Sequence, residues 1–159
     1  MAHLKALVVD DSRVMRSMVM QNLKKANLAD FEFVEAEDGQ DALNKYTPEM
    51  CIAFVDWNMP NMNGLDFVRE VRKREGDDDL HMPIVMVTSE KTMSKIEEAL
   101  DQAGADAFIS KPFTAEELAV KLKKVVDKSE QVQMRKLRRQ REEGAAAPQQ
   151  GGFFSKMFG

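Results

Sequence analysis

The chain has 159 residues, of which 43% are hydrophobic and 31% charged, values typical of a soluble globular protein with its own core. No apolar run approaches the roughly 20 residues that a membrane span requires, and the first residues lead into a strand-like run rather than a secretory signal. A single cysteine, Cys51, excludes an intramolecular disulfide and a cysteine-based metal cluster. We therefore predict a cytoplasmic protein without a transmembrane segment.

The net charge of −4 is unevenly distributed along the chain. Residues 1–128 carry a net charge of −7, whereas residues 129–159 carry +3. The acidic part argues against non-specific nucleic-acid binding by that part of the protein. We divide the chain accordingly into a body, residues 1–128, and a C-terminal extension, residues 129–159.

Five short apolar runs, each followed by a helical pattern, make up the body. The runs are residues 5–9, 31–36, 51–55, 83–87 and 107–109. The helical patterns cover about residues 12–23, 39–46, 65–75, 92–103 and 114–128. Ser12 is the expected N-cap of the first helix, and Thr114 opens a capping box before the last. This alternation predicts an α/β fold: a doubly wound, five-stranded parallel sheet with helices on both faces.

The third apolar run is the most informative stretch, because it ends in a carboxylate. Asp56 follows the run directly, and turn-forming residues, including Asn58 and Gly64, separate it from the next helix. The carboxyl end of a buried strand is where open α/β sheets bind ligands. Taken alone, Asp56 could equally be a turn cap.

Other polar residues follow the apolar runs in the same way: Asp10, Asp11, Thr88 and Lys111. In a parallel sheet all these ends lie on one edge, so the side chains should converge with Asp56. Three neighbouring carboxylates repel one another unless a cation neutralises them, and Mg²⁺ prefers such oxygen ligands. Carboxylates, a metal, an ammonium and a hydroxyl suit phosphoryl transfer onto an aspartate. Individually each residue could be a turn, helix-end or surface residue; the combination favours a site.

The same residues carry a resemblance to a known family. The chain resembles the receiver domain of response regulators, most closely the single-domain, CheY-like chemotaxis regulators, over about residues 4–128. The matching residues are Asp10-Asp11, the segment 56–60, Gly64, Thr88 and Lys111-Pro112. The resemblance implies a flavodoxin-like sheet of order 2-1-3-4-5 and makes residues 1–128 the receiver. It also implies a stand-alone response regulator of a two-component phosphorelay, acting in chemotaxis or motility control.

For the site, the resemblance implies a role for each matching residue. Asp56 would accept the phosphoryl group from a histidine kinase, with intrinsic Mg²⁺-dependent autophosphorylation and autodephosphorylation. Asp11 and Asp56 would bind Mg²⁺ directly, together with the backbone carbonyl of Asn58. Asp10 would act largely through water. The Lys111–Pro112 peptide is expected to be cis, which directs the lysine towards the phosphoryl oxygens.

The resemblance also assigns residues that switch and tune the site. Thr88 would move towards the phosphoryl group, and Phe108 would turn into the space that Thr88 leaves. Asn58 and Glu90 would tune access of the hydrolytic water. Two departures from the family stand out: Phe108 replaces a commoner tyrosine, and the segment between Thr88 and Lys111 is one residue longer.

The output surface is expected on helix 92–103, strand 106–110 and helix 114–128, which would contact an effector protein. The alternative is a solvated helix surface without a partner. A helix-turn-helix effector would not fit in the 31 residues after position 128, so we expect no DNA-binding domain. Output should therefore be through protein–protein contacts.

The C-terminal extension lies outside the family pattern. The last helix could continue past residue 128, and residues 135–141 form a basic run. Residues 144–152 predict a flexible linker. The tip carries three phenylalanines, for which we predict a docking motif for a tail-binding protein: Phe153, Phe154 and Phe158. The alternatives are a frayed tail that packs on its own domain or does nothing, and a basic run that contacts nucleic acid or anionic lipid.

Two other functions are compatible with parts of this pattern. A Mg²⁺-dependent phosphatase with an aspartyl nucleophile usually has a second aspartate two residues after the first, and Asn58 at that position argues against it. A phosphate sink or relay intermediate without its own effector has the same site residues as a signalling regulator. A partner pull-down that finds only kinases would favour the sink.

Overall fold

A computed structural model describes residues 1–89 and 93–158, with side chains described for residues 1–89 and 94–144. Five strands are present, in chain order β1 (His3–Val9), β2 (Asp30–Ala36), β3 (Ile52–Val55), β4 (Ile84–Thr88) and β5 (Ala107–Ser110). They form one sheet of order β2-β1-β3-β4-β5, and every neighbouring pair is parallel. The predicted sheet and its strand order are confirmed.

The helices are α1 (Arg13–Ala26), α2 (Gly39–Lys45), α3 (Gly64–Glu75), α4 (Met93–Glu97), α5 (Ala115–Lys121) and α6 (Lys123–Phe158). Ser12 and Thr114 cap α1 and α5 through their hydroxyl oxygens, as predicted. A π-helical turn, Glu98–Gln102, continues α4. Within the described part of the chain, no helix combines the length and the apolar character needed to cross a membrane.

The core lies in two layers, one on each face of the sheet. Phe67 and Val68 of α3 are fully buried in one layer, against residues of the central strands such as Val55. Leu23 of α1 and Phe54 lie in the other layer. Burying one such side chain contributes roughly 1.5–3 kcal/mol, so both faces of β3 are held by packing. This rigid centre fixes the carboxyl end of β3, where Asp56 follows.

The last helical region differs from its prediction, because the expected helix 114–128 is interrupted. Leu122 ends α5 with φ −97° and ψ −5°, and α6 begins at Lys123. Leu118, Leu122 and Val126 are all buried on the same layer of the core. Their spacing keeps one apolar face on both sides of the break, so periodicity alone does not reveal it.

Beyond residue 128, α6 crosses the amino edge of the sheet. Val132 is buried there, with 8% of its surface exposed. The Gln133 side chain donates a hydrogen bond to the His3 carbonyl at 2.9 Å, and Lys136 Nζ donates to the Pro48 carbonyl at 3.2 Å. The first part of the C-terminal extension therefore contacts the body.

The remainder of α6 continues past the body. Arg139 pairs with Asp78 at 3.0 Å, in the loop before β4. The helical backbone extends to Phe158, across the stretch 144–152 for which the sequence predicts a linker. Side chains after Gly144 lie outside the described residues. The docking prediction for the tip therefore stays a prediction; it concerns Phe153, Phe154 and Phe158.

The amino edge also contains a hub of charged groups around Arg72 of α3. Its guanidinium donates to the carbonyls of Gly104 and Met82 at 2.8 Å each. It also pairs with the carboxylates of Glu75 at 2.6 Å and Asp106 at 3.0 Å. These contacts join α3 to the beginnings of β4 and β5. Opposite charges alternate through the hub, which makes it a structural rather than a reactive cluster.

Candidate functional site

The three predicted carboxylates meet at the carboxyl edge of the sheet. Val9 and Val55 are paired in the register of β1 and β3, so Asp10 and Asp56, the residues that follow them, lie side by side. One carboxylate oxygen from each of Asp10, Asp11 and Asp56 lies within 4.8 Å of the others. Asp10 and Asp56 are buried, whereas Asp11 is exposed. The cluster is thus open to solvent on the Asp11 side.

Lys111 joins this cluster from the end of β5. Its Nζ lies 3.0 Å from Asp10 Oδ2 and 3.2 Å from Asp56 Oδ1. The Lys111–Pro112 peptide is cis, and the Lys111 N–H donates to the Thr88 carbonyl. Burial lowers the pKa of Lys111, but its bonds and charge interactions with the two carboxylates outweigh burial and leave that pKa above its usual value. The side chain is therefore held as an ammonium ion.

Asp56 is in an unfavourable environment for a charged carboxylate. Its burial, and then the charge of Asp10, raise the pKa of Asp56 above the usual value, and the ammonium of Lys111 offsets this only in part. A site of this kind favours a further cation. Three carboxylates with one side open to water match the oxygen ligands and retained waters of a hard divalent ion such as Mg²⁺. The residues present fit that metal.

Asp10 is fixed on both of its oxygens. Oδ1 accepts a hydrogen bond from the Ser12 N–H at 2.8 Å, and Oδ2 accepts from Lys111. The same Ser12 caps α1, so the start of that helix and the orientation of Asp10 are set together. These two hydrogen bonds hold the Asp10 carboxylate in one orientation within the cluster.

Gly64 is required by packing at the site, which the sequence does not reveal. A Cβ at this position would collide with the backbone carbonyl of Asp56 and approach Met86 Cε to 2.9 Å. The Gly64 N–H donates to the Trp57 carbonyl at 3.0 Å, closing the loop after β3. The sequence identifies Gly64 as a turn former and as a family position, whereas the structure gives the reason: α3 begins against the Asp56 backbone.

Two residues that support this loop were missed by sequence reasoning. Asn61 has a positive φ of 66°, and its side chain donates to Asp38 Oδ2 at 2.8 Å. Asp38 also accepts from the Asp41 N–H, so it caps α2 while it holds the loop after β3. The available signal for Asn61 was its tolerance of a left-handed backbone.

The predicted switch residues lie on neighbouring strands. Thr88 ends β4 and is 1% exposed. Phe108 of β5 is half-buried, pairs in register with Met86, and packs at the margin of one core layer. Asn58 is exposed in the loop after Asp56. Glu90, predicted to tune hydrolysis, lies outside the described residues.

Comparison with known proteins agrees with this geometry. Residues 6–123 match the family described as the response regulator receiver domain. A chemotaxis protein CheY homolog of Campylobacter jejuni is 40% identical over 125 residues, which cover 77% of this chain and 92% of the relative. The match therefore spans nearly the whole relative, and the family match ends before the C-terminal extension begins.

Solved structures give the same picture. Chemotaxis protein CheY4 of Vibrio cholerae is 35% identical with a TM-score of 0.67, over 78% of this chain and 99% of that one. A CheY-like receiver domain protein of Methanospirillum hungatei is 27% identical with a TM-score of 0.68, over 82% and 98%. CheY in a CheX–CheY–BeF3–Mg complex from Borrelia burgdorferi is 24% identical, a likeness of fold, with a TM-score of 0.67 over 77% and 88%. The chain belongs to the response-regulator receiver family.

Proposed function

We propose that this receiver accepts a phosphoryl group on Asp56 from the phosphohistidine of a histidine kinase and thereby changes its contacts with an effector protein. The observation that carries the proposal is the position of Lys111 Nζ, 3.2 Å from Asp56 and 3.0 Å from Asp10, inside a carboxylate cluster. A lysine with a purely structural role can be satisfied by a single carboxylate partner. Here one ammonium faces a crowded acidic site at the carboxyl ends of parallel strands, where α/β folds bind ligands.

The transfer is a substitution at phosphorus. A carboxylate oxygen of Asp56 forms the new O–P bond as the P–N bond to the donor imidazole breaks, and the imidazole leaves with that electron pair. Lys111 presents its ammonium to the phosphoryl oxygens, whose charge must be stabilised during transfer. The low exposure of Asp56 limits competing water.

The metal would be held by Asp11, Asp56 and the backbone carbonyl of Asn58, with Asp10 acting through water. Bound Mg²⁺ supplies charge neutralisation and Lewis-acid stabilisation of phosphoryl oxygens. The chain itself contributes orientation, since Asp10 is fixed by Ser12 and Lys111 and cannot rotate freely.

The change in surface would begin at Thr88 and Phe108. The Thr88 hydroxyl belongs to the residue that ends β4, on the same edge as the carboxylates, and would move towards a phosphoryl group on Asp56. Phe108 packs at the margin of the core rather than inside it, which leaves it able to turn inward. We propose that helix 92–103, strand 106–110 and helix 114–128 carry this change to the effector.

Chemotaxis or motility control is the process we propose. It is supported by the curated relatives at 40% identity, which are chemotaxis proteins. The Borrelia burgdorferi CheY was crystallised with CheX, BeF3 and Mg, which shows that a protein of this fold takes a protein partner in that state. We propose that this chain signals to an effector protein and is not a phosphate sink.

Trp57 offers a direct test, since it is buried beside Asp56. Its fluorescence is measured while Mg²⁺ is titrated and beryllofluoride, a phosphoryl mimic, is then added. We expect a Mg²⁺-dependent change that beryllofluoride extends in the wild type, and no beryllofluoride response in Asp56→Asn. Asp77→Asn, an exposed carboxylate in the loop after α3, is the matched control and should behave as wild type. No wild-type response to either addition would contradict the proposal.

A second measurement separates an effector from a sink. Wild type activated with beryllofluoride and the Asp56→Asn variant are used as paired baits for proteins of a motile cell that contains this chain. A partner other than a kinase that binds only the activated bait supports signalling output. Recovery of kinases alone would contradict it and favour the sink.

A further inference from the structure

One face of α6 carries a stripe of side chains that are exposed, apart from the partly buried Glu130. We define the α6 stripe as Asp127, Glu130, Met134, Leu137 and Arg141. These positions recur at intervals of 3, 4, 3 and 4 residues, which is the seam spacing of a coiled coil. On a helix of 3.6 residues per turn they fall within about 80° of its circumference. The stripe is thus a single narrow face.

The α6 stripe points away from the side chains that α6 buries on the receiver body, although Leu137 also borders a hollow lined by Pro48 and Cys51. Ser129 and Val132 are buried, and they lie on the other side of the same helix turns. Met134 and Leu137 are 63% and 50% exposed, among the most exposed large apolar side chains of the described residues. Because the body already anchors the helix through its inner face, the outer apolar pair is not needed to hold α6 in place.

The charges along the α6 stripe change sign from one end to the other. Asp127 and Glu130 lie before the apolar pair, and Arg141 lies after it, with Arg138 alongside. Within residues 1–89 and 94–144, the ion pairs made by α6 are those of Lys128 and Arg139, so the charges of the stripe are left unpaired. A face that is acidic at one end and basic at the other is complementary to its own copy in antiparallel orientation.

From this face we infer that a second copy of the chain docks on α6, with the two stripes antiparallel. A coiled-coil seam has two kinds of apolar position, and in an antiparallel pair each kind packs against the other kind on the partner helix. That register places Met134 against the partner's Leu137, and Glu130 against the partner's Arg141. By symmetry each contact occurs twice. Two apolar contacts at the centre are flanked by two ion pairs.

The charges around the stripe favour a second copy of the chain as its partner over an anionic membrane or a nucleic acid. The stripe contains two carboxylates, and the receiver body to which it is attached carries a net charge of −7. Both would repel a polyanion, whereas a second α6 satisfies the acidic and basic ends together. The stripe is about 21 Å long, so the buried area falls short of the roughly 1,000 Å² typical of stable interfaces. The expected dissociation constant is therefore weak, on the order of 100 µM.

Charge exchange tests the pairing in the full-length protein. Sedimentation velocity is run at concentrations up to about 1 mM in low salt for wild type, Glu130→Arg, Arg141→Glu and the double variant. Each single reversal places like charges opposite each other twice, and we expect at least tenfold weaker association. The double variant restores opposite charges and should associate as wild type does. A wild type that stays monomeric, or a double variant no better than the singles, would overturn the inference.

Cross-linking tests the orientation. In the antiparallel pair, position 130 meets position 141 of the partner, whereas the two copies of position 130 lie about 16 Å apart along the axis. Mixing Glu130→Cys with Arg141→Cys should give a disulfide-linked dimer, and neither protein alone should. Linkage within each variant alone would show a parallel pair and contradict the register. The native Cys51 is buried, so the wild type serves as the background control.

The same variants also test two other possible partners of the α6 stripe, an anionic membrane and a nucleic acid. Vesicles with about one-third phosphatidylserine, and a mixed-sequence DNA duplex, are each titrated with wild type and Arg141→Glu. If the wild type does not self-associate but binds vesicles or DNA, and Arg141→Glu abolishes that binding, the partner of the stripe is a polyanion and the inference is wrong. Every variant keeps residues 144–159, so association through the tip would persist in all of them and would contradict the inference.

Discussion

The two edges of the sheet are built from charged residues in opposite ways. At the carboxyl edge three carboxylates lie together, the ammonium of Lys111 pairs with two of them, and burial with a neighbouring charge raises the pKa of Asp56. At the amino edge Arg72 alternates with Glu75 and Asp106, and Lys128 adds a further pair to Asp106 at 2.7 Å. Crowded like charges oppose folding and prepare a site for a cation and a phosphoryl group. Alternating charges stabilise the connections between elements and leave no reactive group.

The largest expected effect is at the carboxyl edge, where removing the Asp56 carboxylate should abolish phosphoryl transfer without lowering stability. Asp56→Asn should abolish phosphoryl transfer, because the nucleophilic oxygen is lost, by more than about 1,000-fold. The same change should not lower the free energy of unfolding in EDTA, since burial and Asp10 already disfavour the charged carboxylate. Phosphotransfer assays and urea unfolding measure the two effects. A clear loss of metal-free stability would contradict the view that this edge opposes folding.

The amino edge should behave in the opposite way. Arg72→Ala leaves Glu75 and Asp106 without their shared cation, at side-chain exposures of 6% and 18%. We expect a loss of about 3 kcal/mol in the free energy of unfolding, with the Mg²⁺ response of Trp57 retained below the melting transition. Arg69→Ala is the matched control, because its pairs with Asp66 and Glu98 are more exposed, and should cost under about 1 kcal/mol. Equal losses for the two arginines would show that the hub has no special role.

The contact of α6 with the amino edge has a smaller expected effect. Val132→Ala removes buried methyl groups and should lower the free energy of unfolding by about 1–2 kcal/mol. Val120→Ala on α5 is the control, since that side chain is 81% exposed and the change should be nearly neutral. Chemical denaturation of the full chain measures both. No difference between the two variants would mean that residues beyond 128 add nothing to the stability of the body.

The smallest expected effect is a dependence of stability on pH, which should have opposite signs for Asp38 and His3. The bond from the Asp41 N–H, and then that from Asn61, lower the pKa of Asp38, so its contribution is complete above about pH 4 and is lost as the pH falls through the folded pKa. Asp38→Asn should therefore lose less stability than wild type between about pH 5 and 3. Stability curves over that range test the sign.

His3 provides the contrasting case. Asp30 and then Glu32 raise the pKa of His3, so its contribution is complete below about pH 6.5 and is lost as the pH rises through the folded pKa. His3→Gln should change the slope of stability on the alkaline side of pH 6.5 and leave the acid side as in wild type. An altered slope only at low pH would contradict the assignment.

The carboxyl edge was predictable from sequence because each strand ends within one residue of the end of an apolar run. Asp10, Asp56 and Lys111 could be identified by that rule, and the parallel topology brings such ends together. The support around them was less accessible. Gly64 is explained by a backbone contact with Asp56, and Asn61 by a bond to a residue 23 positions away. Such contacts have no periodic signal in the chain.

Most contacts at the amino edge could not be predicted from the sequence. Asp106 joins Arg72 across 34 residues, and Gln133 joins His3 across 130. A lysine or arginine in a helix is most often solvated, so nothing local distinguishes Arg72 from Arg69. The path of α6 depends on the break at Leu122, which keeps the apolar spacing and so escapes detection. Fold and site chemistry were accessible; the long-range ion pairs that hold them were not.

The π-helical turn after α4 bears on how this chain could have diverged from its relatives. The Ala103 N–H bonds to the Glu98 carbonyl, five residues back, so this turn holds one residue more than an α-turn. β4 and β5 nevertheless remain in register, and the Lys111 N–H still reaches the Thr88 carbonyl. A single-codon insertion upstream of Lys111 can thus be absorbed without displacing it. The π-helical turn therefore accommodates an extra residue while the bond between Lys111 and Thr88 at the reactive edge is kept.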